Sequence, residues 1–191
     1  MAYIKLSKSF FLNPTIEVAK NLLGCYLIHE TKDGIVKGKI VETEAYLFDD
    51  EASHSLNGKT KRNEAMFLEG GRAYVYFTYG MHFCFNVVTN KEGIGEAVLI
   101  RALEPIKGIE IMKERRRNED VKNLCNGPAK LVEAMGILKE HNESDLLNGN
   151  LRLEKGESVG EIIETKRKGI SKAKDLNYRF YIKGNEFVSK K

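Results

Sequence analysis

A chain of 191 residues is long enough for one domain with a sizeable core, and 42% hydrophobic with 30% charged residues describes an ordinary globular composition. With 17 Gly and 3 Pro and no strongly biased stretch, collagen-like, Pro-rich and domain-scale disordered classes are excluded. The net charge of +4 is uneven: residues 151–191 hold 11 Lys/Arg against 6 Asp/Glu, which permits a polyanionic partner without requiring one. No apolar run approaches the roughly 18 residues of a membrane span, and lysines interrupt residues 1–13, so no membrane or secretory segment is expected and the chain reads as cytoplasmic. Cys25, Cys84 and Cys125 are widely separated and His29, His54, His82 and His141 show no ligand spacing, so the expectation is buried free thiols, no metal and no other cofactor.

Asn13-Pro14, followed by apolar Ile16, Val18, Ala19, Leu22 and Leu23 and closed by Gly24, predicts a helix with Asn13 as its cap. Residues 25–30 and 35–47 read as strands joined by Lys32-Asp33-Gly34, with Gly38 as a candidate bulge. Residues 48–64 form a long polar connection. The β-branched and aromatic run 73–88 predicts a second hairpin turning near Tyr79-Gly80, and 97–103 a further strand. Residues 105–117 and 128–135 have helical periodicity, the first with Ile106, Ile109 and Met112 inward. The chain ends in strands, 179–182 and 186–189 flanking Lys183-Gly184-Asn185. Hairpins outnumber any βαβ pattern, so the fold class is α+β: one domain over residues 1–191, with a curved, mostly antiparallel sheet, a protruding β-hairpin and helices packed outside.

Strand alternation over 38–47 puts Ile40, Glu42, Glu44 and Tyr46 on one face and Val41, Thr43, Ala45 and Leu47 on the other. A carboxylate buried on that first face would have a raised pKa suited to general base work, and spacing leaves the choice between Glu42 and Glu44 open. In the second hairpin Tyr74 and Tyr76 share a face, while Phe77, Phe83 and Phe85 read as core. Tyr79, beside the turn glycine, is placed where an aromatic could wedge between stacked bases. A carboxylate, aromatic plates, an exposed wedge and a basic tail together match what base flipping requires.

The blocks L-L-G-C-Y-L (22–27), G-K-I-V-E-T-E-A-Y-L (38–47), E-A-S-H-S (51–55), K-R-N-E-A-M-F (61–67), A-Y-V-Y-F-T-Y-G-M-H-F-C-F-N (73–86), V-L-I-R-A-L-E-P (98–105), N-G-P-A-K-L (126–131) and R-F-Y-I-K-G (179–184) cover nearly the whole chain in order. The sequence resembles the alkyladenine (3-methyladenine) DNA glycosylases of the alkylpurine type, in a short bacterial form. The resemblance implies Glu44 as general base for an attacking water, with Arg101 helping to position that water and the backbone around Ile170 lining the pocket. It implies Tyr46, His54 and Tyr76 around a flipped base, Asn86 against the exocyclic amino group of guanine, Tyr79 as the intercalating wedge, and Thr60, Arg62, Met81 and Lys130 at the DNA backbone. Lys61 stands where the family often has proline, His82 where tyrosine is frequent, and Lys168 where an apolar residue is usual.

The implied reaction is hydrolysis of the N-glycosidic bond of a damaged purine in double-stranded DNA by a monomer. Since no matched pocket position is a lysine able to form a Schiff base, the enzyme is expected to be monofunctional. The competing class is a non-catalytic module for damaged or single-stranded DNA. A carbohydrate hydrolase using Glu42 and Glu44 as a pair is disfavoured, because residues two apart on one strand point the same way instead of flanking a bond.

Overall fold

The computed structural model describes residues 4–78 and 82–189. Two short helices come first, α1 (Lys8–Phe11) and α2 (Thr15–Asn21). Pro14 occupies the position before α2, in place of the expected Asn13 cap. The Asn13 amide turns back instead and donates to the carbonyls of Ser9 and Phe10, closing α1. Strands β1 (Tyr26–Thr31) and β2 (Gly34–Tyr46) form the first hairpin. β3 (Ala73–Thr78) and β4 (His82–Val88) form the second, and β5 (Ala97–Lys107) follows. After α3 (Ile109–Arg116) and α4 (Pro128–Met135) come β6 (Leu151–Glu154), β7 (Ile162–Thr165) and β8 (Arg179–Ile182).

Every strand pairing is antiparallel, in the order β3-β4-β5-β2-β1-β6. β8 continues along the edge of β2 where β1 has ended, pairing at Glu42–Glu44, and carries β7 on its other side. The sheet curls into a half-barrel, as expected for the α+β class. Its inner layer sets Val36, Ile40, Val75, Phe85, Val98 and Ile100 against Val18 and Leu22 of the α2 region and Leu131 and Met135 of α4. Each fully buried side chain of this size contributes about 1.5–3 kcal/mol.

The structure corrects the sequence reading at four further places. Alternation along β2 breaks at Val41, an extra residue between Ile40↔Leu103 and Glu42↔Ala102, so Ile40 joins the core with Ala45 and does not share the face of Glu42 and Glu44. Pro105 and Ile106 belong to β5, not to a helix: a second register shift, beside Gly38, accommodates the proline, which lacks a ladder donor. α3 starts only after Gly108 (φ +73°), where a side chain would strike the Ile35 carbonyl. Residues 186–189 form no strand. Phe77 is exposed and Phe83 half-buried, so of the three hairpin phenylalanines only Phe85 is central core.

Candidate active site

The face of the sheet opposite the helices carries the polar residues, and strand register gathers them. One row crosses four strands as Tyr74↔Asn86↔Leu99↔Glu44, and Arg179 of β8 lies on the far side of Glu44. Rows on either side hold Tyr76↔Cys84 and Val88↔Ala97↔Tyr46. Arg101 is itself a bulged residue, skipped between Glu42↔Ala102 and Thr43↔Ile100. The two bulges, one on each strand, leave the Arg101 guanidinium beside both carboxylates.

Glu42 and Glu44 are both fully buried, yet they are served differently. Oε1 of Glu42 accepts from Arg101 Nε (3.1 Å), Arg179 Nε (2.6 Å) and Ser189 Oγ (2.9 Å), and Oε2 accepts from Ser189 N (2.7 Å). Glu42 is the anchor on which the C-terminal segment closes. Glu44 receives Lys168 N on Oε1 (2.8 Å), and Tyr46 Oη (2.9 Å) and Arg101 Nη1 (3.2 Å) on Oε2. Burial pushes its carboxyl above the ordinary range; Arg101, the Lys168 amide and the Tyr46 hydroxyl oppose this, and the neighbouring Glu42 charge adds to it. Burial and then the Glu44 charge raise the Tyr46 phenol. Arg101 is drawn upward by Glu44 and Glu42, which outweigh its own desolvation.

A cavity of about 480 Å³ opens on this face, within the range of small-molecule sites. Tyr46, His54, Tyr74, Tyr76 and Asn86 line it, together with residues 168–172 and Pro128-Ala129 at the α4 N-terminus. The His54 ring lies edge-on to Tyr76 (centroids 4.6 Å apart), and its Nδ1 meets Tyr74 Oη at 2.9 Å. Partial burial and the nearby Arg62 charge hold His54 below its usual pKa. Its main-chain carbonyl accepts from Asn63 Nδ2 (2.7 Å), and Asn86 Nδ2 donates to Tyr74 O (3.0 Å). Both contacts fix wall residues before any ligand arrives.

All five residues assigned to the base pocket, Tyr46, His54, Tyr76, Asn86 and Ile170, therefore line one cavity. Glu44 and Arg101 stand behind its wall, linked to it through Tyr46 and Lys168. The segment's contact with Glu44 comes from Lys168 N, two residues before Ile170. None of the five assigned positions is a lysine, but Lys168 and Lys172 also line the cavity. Arg62 reaches the Phe77 carbonyl at the hairpin (3.5 Å), Thr60 is tied to Asn63, and Lys130 donates to Asn126 one turn into α4. Tyr79 and Met81 lie outside the described residues. Sequence reading missed Arg167, Asp50, Arg179 and Ser189. Arg167 stood in a run counted for its charge and Arg179 at the head of a predicted strand, and their partners lie more than 100 residues away in sequence. Among the described residues no group of three His, Cys, Asp or Glu is gathered as metal ligands, and no helix is long and apolar enough to cross a membrane.

Comparison with known proteins covers nearly the whole chain. A relative from Carboxydothermus hydrogenoformans is 53% identical over 189 residues, spanning 97% of this chain and 99% of its own length. One from Francisella tularensis subsp. tularensis strain SCHU S4 is 54% identical over 182 residues, 93% and 94% of the two chains. One from Methanoculleus marisnigri is 47% identical over 191 residues, 97% and 99%. Each of the three is named, provisionally, as a 3-methyladenine DNA glycosylase. The sequence profile of the methylpurine-DNA glycosylases matches residues 9–186, and the chain belongs to that family.

Proposed function

We propose that the protein is a base-excision-repair glycosylase, one domain over residues 1–191, that turns a damaged purine out of duplex DNA into the cavity and hydrolyses its N-glycosidic bond. The observation that carries this reading is a fully buried carboxylate, Glu44, hydrogen-bonded to two residues of an aromatic-walled cavity. The family and the names of its relatives point to the same chemistry. In this reading Glu44 takes a proton from water, the water oxygen bonds to C1′ of the deoxyribose, and the C1′–N bond breaks with its electron pair leaving on the purine. The product is an abasic site with the backbone intact. The transition state is oxocarbenium-like, so the Glu44 carboxylate also serves as countercharge, and Arg101 on Oε2 orients it.

Flipping costs a few kcal/mol, least for a damaged or mispaired base, while stacking on an aromatic ring returns roughly 1–3 kcal/mol. Tyr46, Tyr76 and His54 are positioned to supply that stacking, and Tyr79 is assigned the space left in the duplex. Asn86, held by its bond to Tyr74 O, is assigned to crowd the amino group of guanine. Thr60, Arg62, Met81 and Lys130 are assigned to the phosphates. An N-alkylated cationic purine leaves readily as a neutral base and suits aromatic faces.

The deciding experiment incubates the protein, as a monomer and in chelator, with duplexes holding 7-methylguanine, 3-methyladenine, hypoxanthine or ethenoadenine. Abasic sites are then revealed by alkali. Base release with chelator present is expected, and strands left intact without alkali show a monofunctional enzyme despite Lys168 and Lys172. Binding of the lesion duplexes with no base released replaces this reading by a non-catalytic damaged-DNA or single-strand binding module.

A further inference from the structure

Arg167 has no part in the chemistry described so far, yet it packs over the Tyr46 ring, whose hydroxyl bonds Glu44, and directly precedes the residue whose amide also bonds Glu44. Its side chain is completely buried. The guanidinium grips Asp50 with both terminal nitrogens, Nη2 to Oδ1 at 2.9 Å and Nη1 to Oδ2, and Nη1 also donates to the Ala45 carbonyl (2.9 Å). Its Cζ lies over the Tyr46 ring, 4.6 Å from the centroid, and over the Tyr178 ring at 5.4 Å. Asp50 Oδ1 accepts from Ala52 N (2.9 Å), which shapes the loop leading to Ser53 and His54 of the cavity. The residue after Arg167 supplies the amide that donates to Glu44. One guanidinium thus ties the end of β2, the 48–54 loop and the 166–172 segment together, directly behind the aromatic ring whose hydroxyl bonds the carboxylate.

We infer that Arg167 is a positioning residue, holding the Tyr46 ring so that its hydroxyl stays on Glu44 while a purine occupies the cavity. A buried Arg–Asp pair by itself is weak evidence for more than local structure. Here, however, the pair is joined to a stacked ring, and Arg suits that dual role because its flat, forked cation binds a carboxylate bidentately and stacks at the same time. A lysine could keep the charge, not the fork or the plane.

The inference rests on the glycosylase reading, and a double-mutant cycle separates the two. Arg167→Met is combined with Asp50→Asn, so that no buried carboxylate is orphaned, and the pair is measured alone and on Tyr46→Phe. Arg167→Lys, which keeps size and charge, is run in parallel and carries the cycle if the first combination does not fold. Single-turnover excision of 7-methylguanine is the readout, with lesion-duplex affinity and the thermal midpoint recorded for each variant. Losing Arg167 is expected to slow excision about tenfold with affinity within threefold, and to slow it less than threefold once the Tyr46 hydroxyl is gone, because coupled residues are not additive. Equal loss in both backgrounds, or wild-type excision by Arg167→Lys or the Met/Asn combination, overturns the role of Arg167 and leaves the glycosylase standing. A wild-type protein that releases no base in the same assay overturns both.

Discussion

Two carboxylates two residues apart on β2 occupy opposite kinds of site. Around Glu42 four donors converge, two of them guanidinium groups, and the last described residue of the chain, Ser189, folds over it. Around Glu44 there are three donors, two of them from residues that form the cavity wall, and burial dominates its titration. A buried charge is tolerated when its lone pairs are filled by charged donors, and becomes reactive when desolvation outruns its partners. In the proposed mechanism the same strand carries one carboxylate that holds the fold and one that serves the chemistry, separated by a single Thr43 that turns its hydroxyl to the Ala19 carbonyl on the core side.

The contrast breaks most visibly in Glu44→Gln. Removing a general base typically costs on the order of 10²–10⁴ in rate, so base release is expected to fall by that much in single-turnover assays. Lesion-duplex affinity is expected to persist, because Tyr46, Tyr76 and His54 still form the wall. Undiminished release would remove Glu44 from the chemistry. Glu42→Ala probes the other site, and its main effect is on folding. It leaves Arg101 and Arg179 buried with their shared anion gone, a change worth about 3–5 kcal/mol, to be read as a lowered urea midpoint at unchanged m-value. Loss of activity at full stability would mean that the two carboxylates had been assigned the wrong way round. Tyr46→Phe sharpens the comparison more gently. Removing one hydrogen bond to a charged group costs about 1.5–3 kcal/mol where that bond is maintained in the transition state, a slowing of roughly 10- to 100-fold.

Much of this site was legible in the sequence because it is built from strand periodicity. Glu44 and Tyr46, Tyr74 and Tyr76, and Cys84 and Asn86 are each two apart, and one face of a sheet must collect them. What could not be read was anything depending on a broken period or a distant partner. Val41 and Arg101 bulge on paired strands, and alternation counted through Val41 assigns Ile40 to the wrong face. Glu42 and Glu44 look alike by spacing, and the groups that tell them apart, Lys168, Arg179 and Ser189, reach β2 from 124 to 147 residues away in sequence. The C-terminal quarter announced its charge but not that two of its arginines are spent inside the molecule. The helix expected from Pro105 failed for a related reason: its apolar spacing fits a helix, but pairing with β2 overrides local preference until Gly108.

The smallest expected effect is also the most diagnostic of what burial does to Glu44. Its carboxyl titrates above the ordinary value of 4.5 with desolvation as the leading cause, so the folded protein holds that proton more tightly than the unfolded chain. A group shifted in this direction adds stability that is present below the unfolded pKa and is lost as pH rises through the folded one. In the proposed mechanism activity runs the other way, because a general base must be ionised, so base release should climb across the window in which this contribution to stability disappears. Glu44→Gln has no such proton. Its amide also presents a donor or a poorer acceptor to Arg101 and Tyr46, but that cost is the same at every pH and shifts the whole curve. The signal is therefore the slope: relative to wild type, the variant should gain stability as pH rises above the ordinary carboxyl value of 4.5, measured as the difference in urea unfolding free energy. A difference that stays flat over that range would mean that Arg101, the Lys168 amide and the Tyr46 hydroxyl fully offset desolvation, leaving Glu44 as well paired as Glu42.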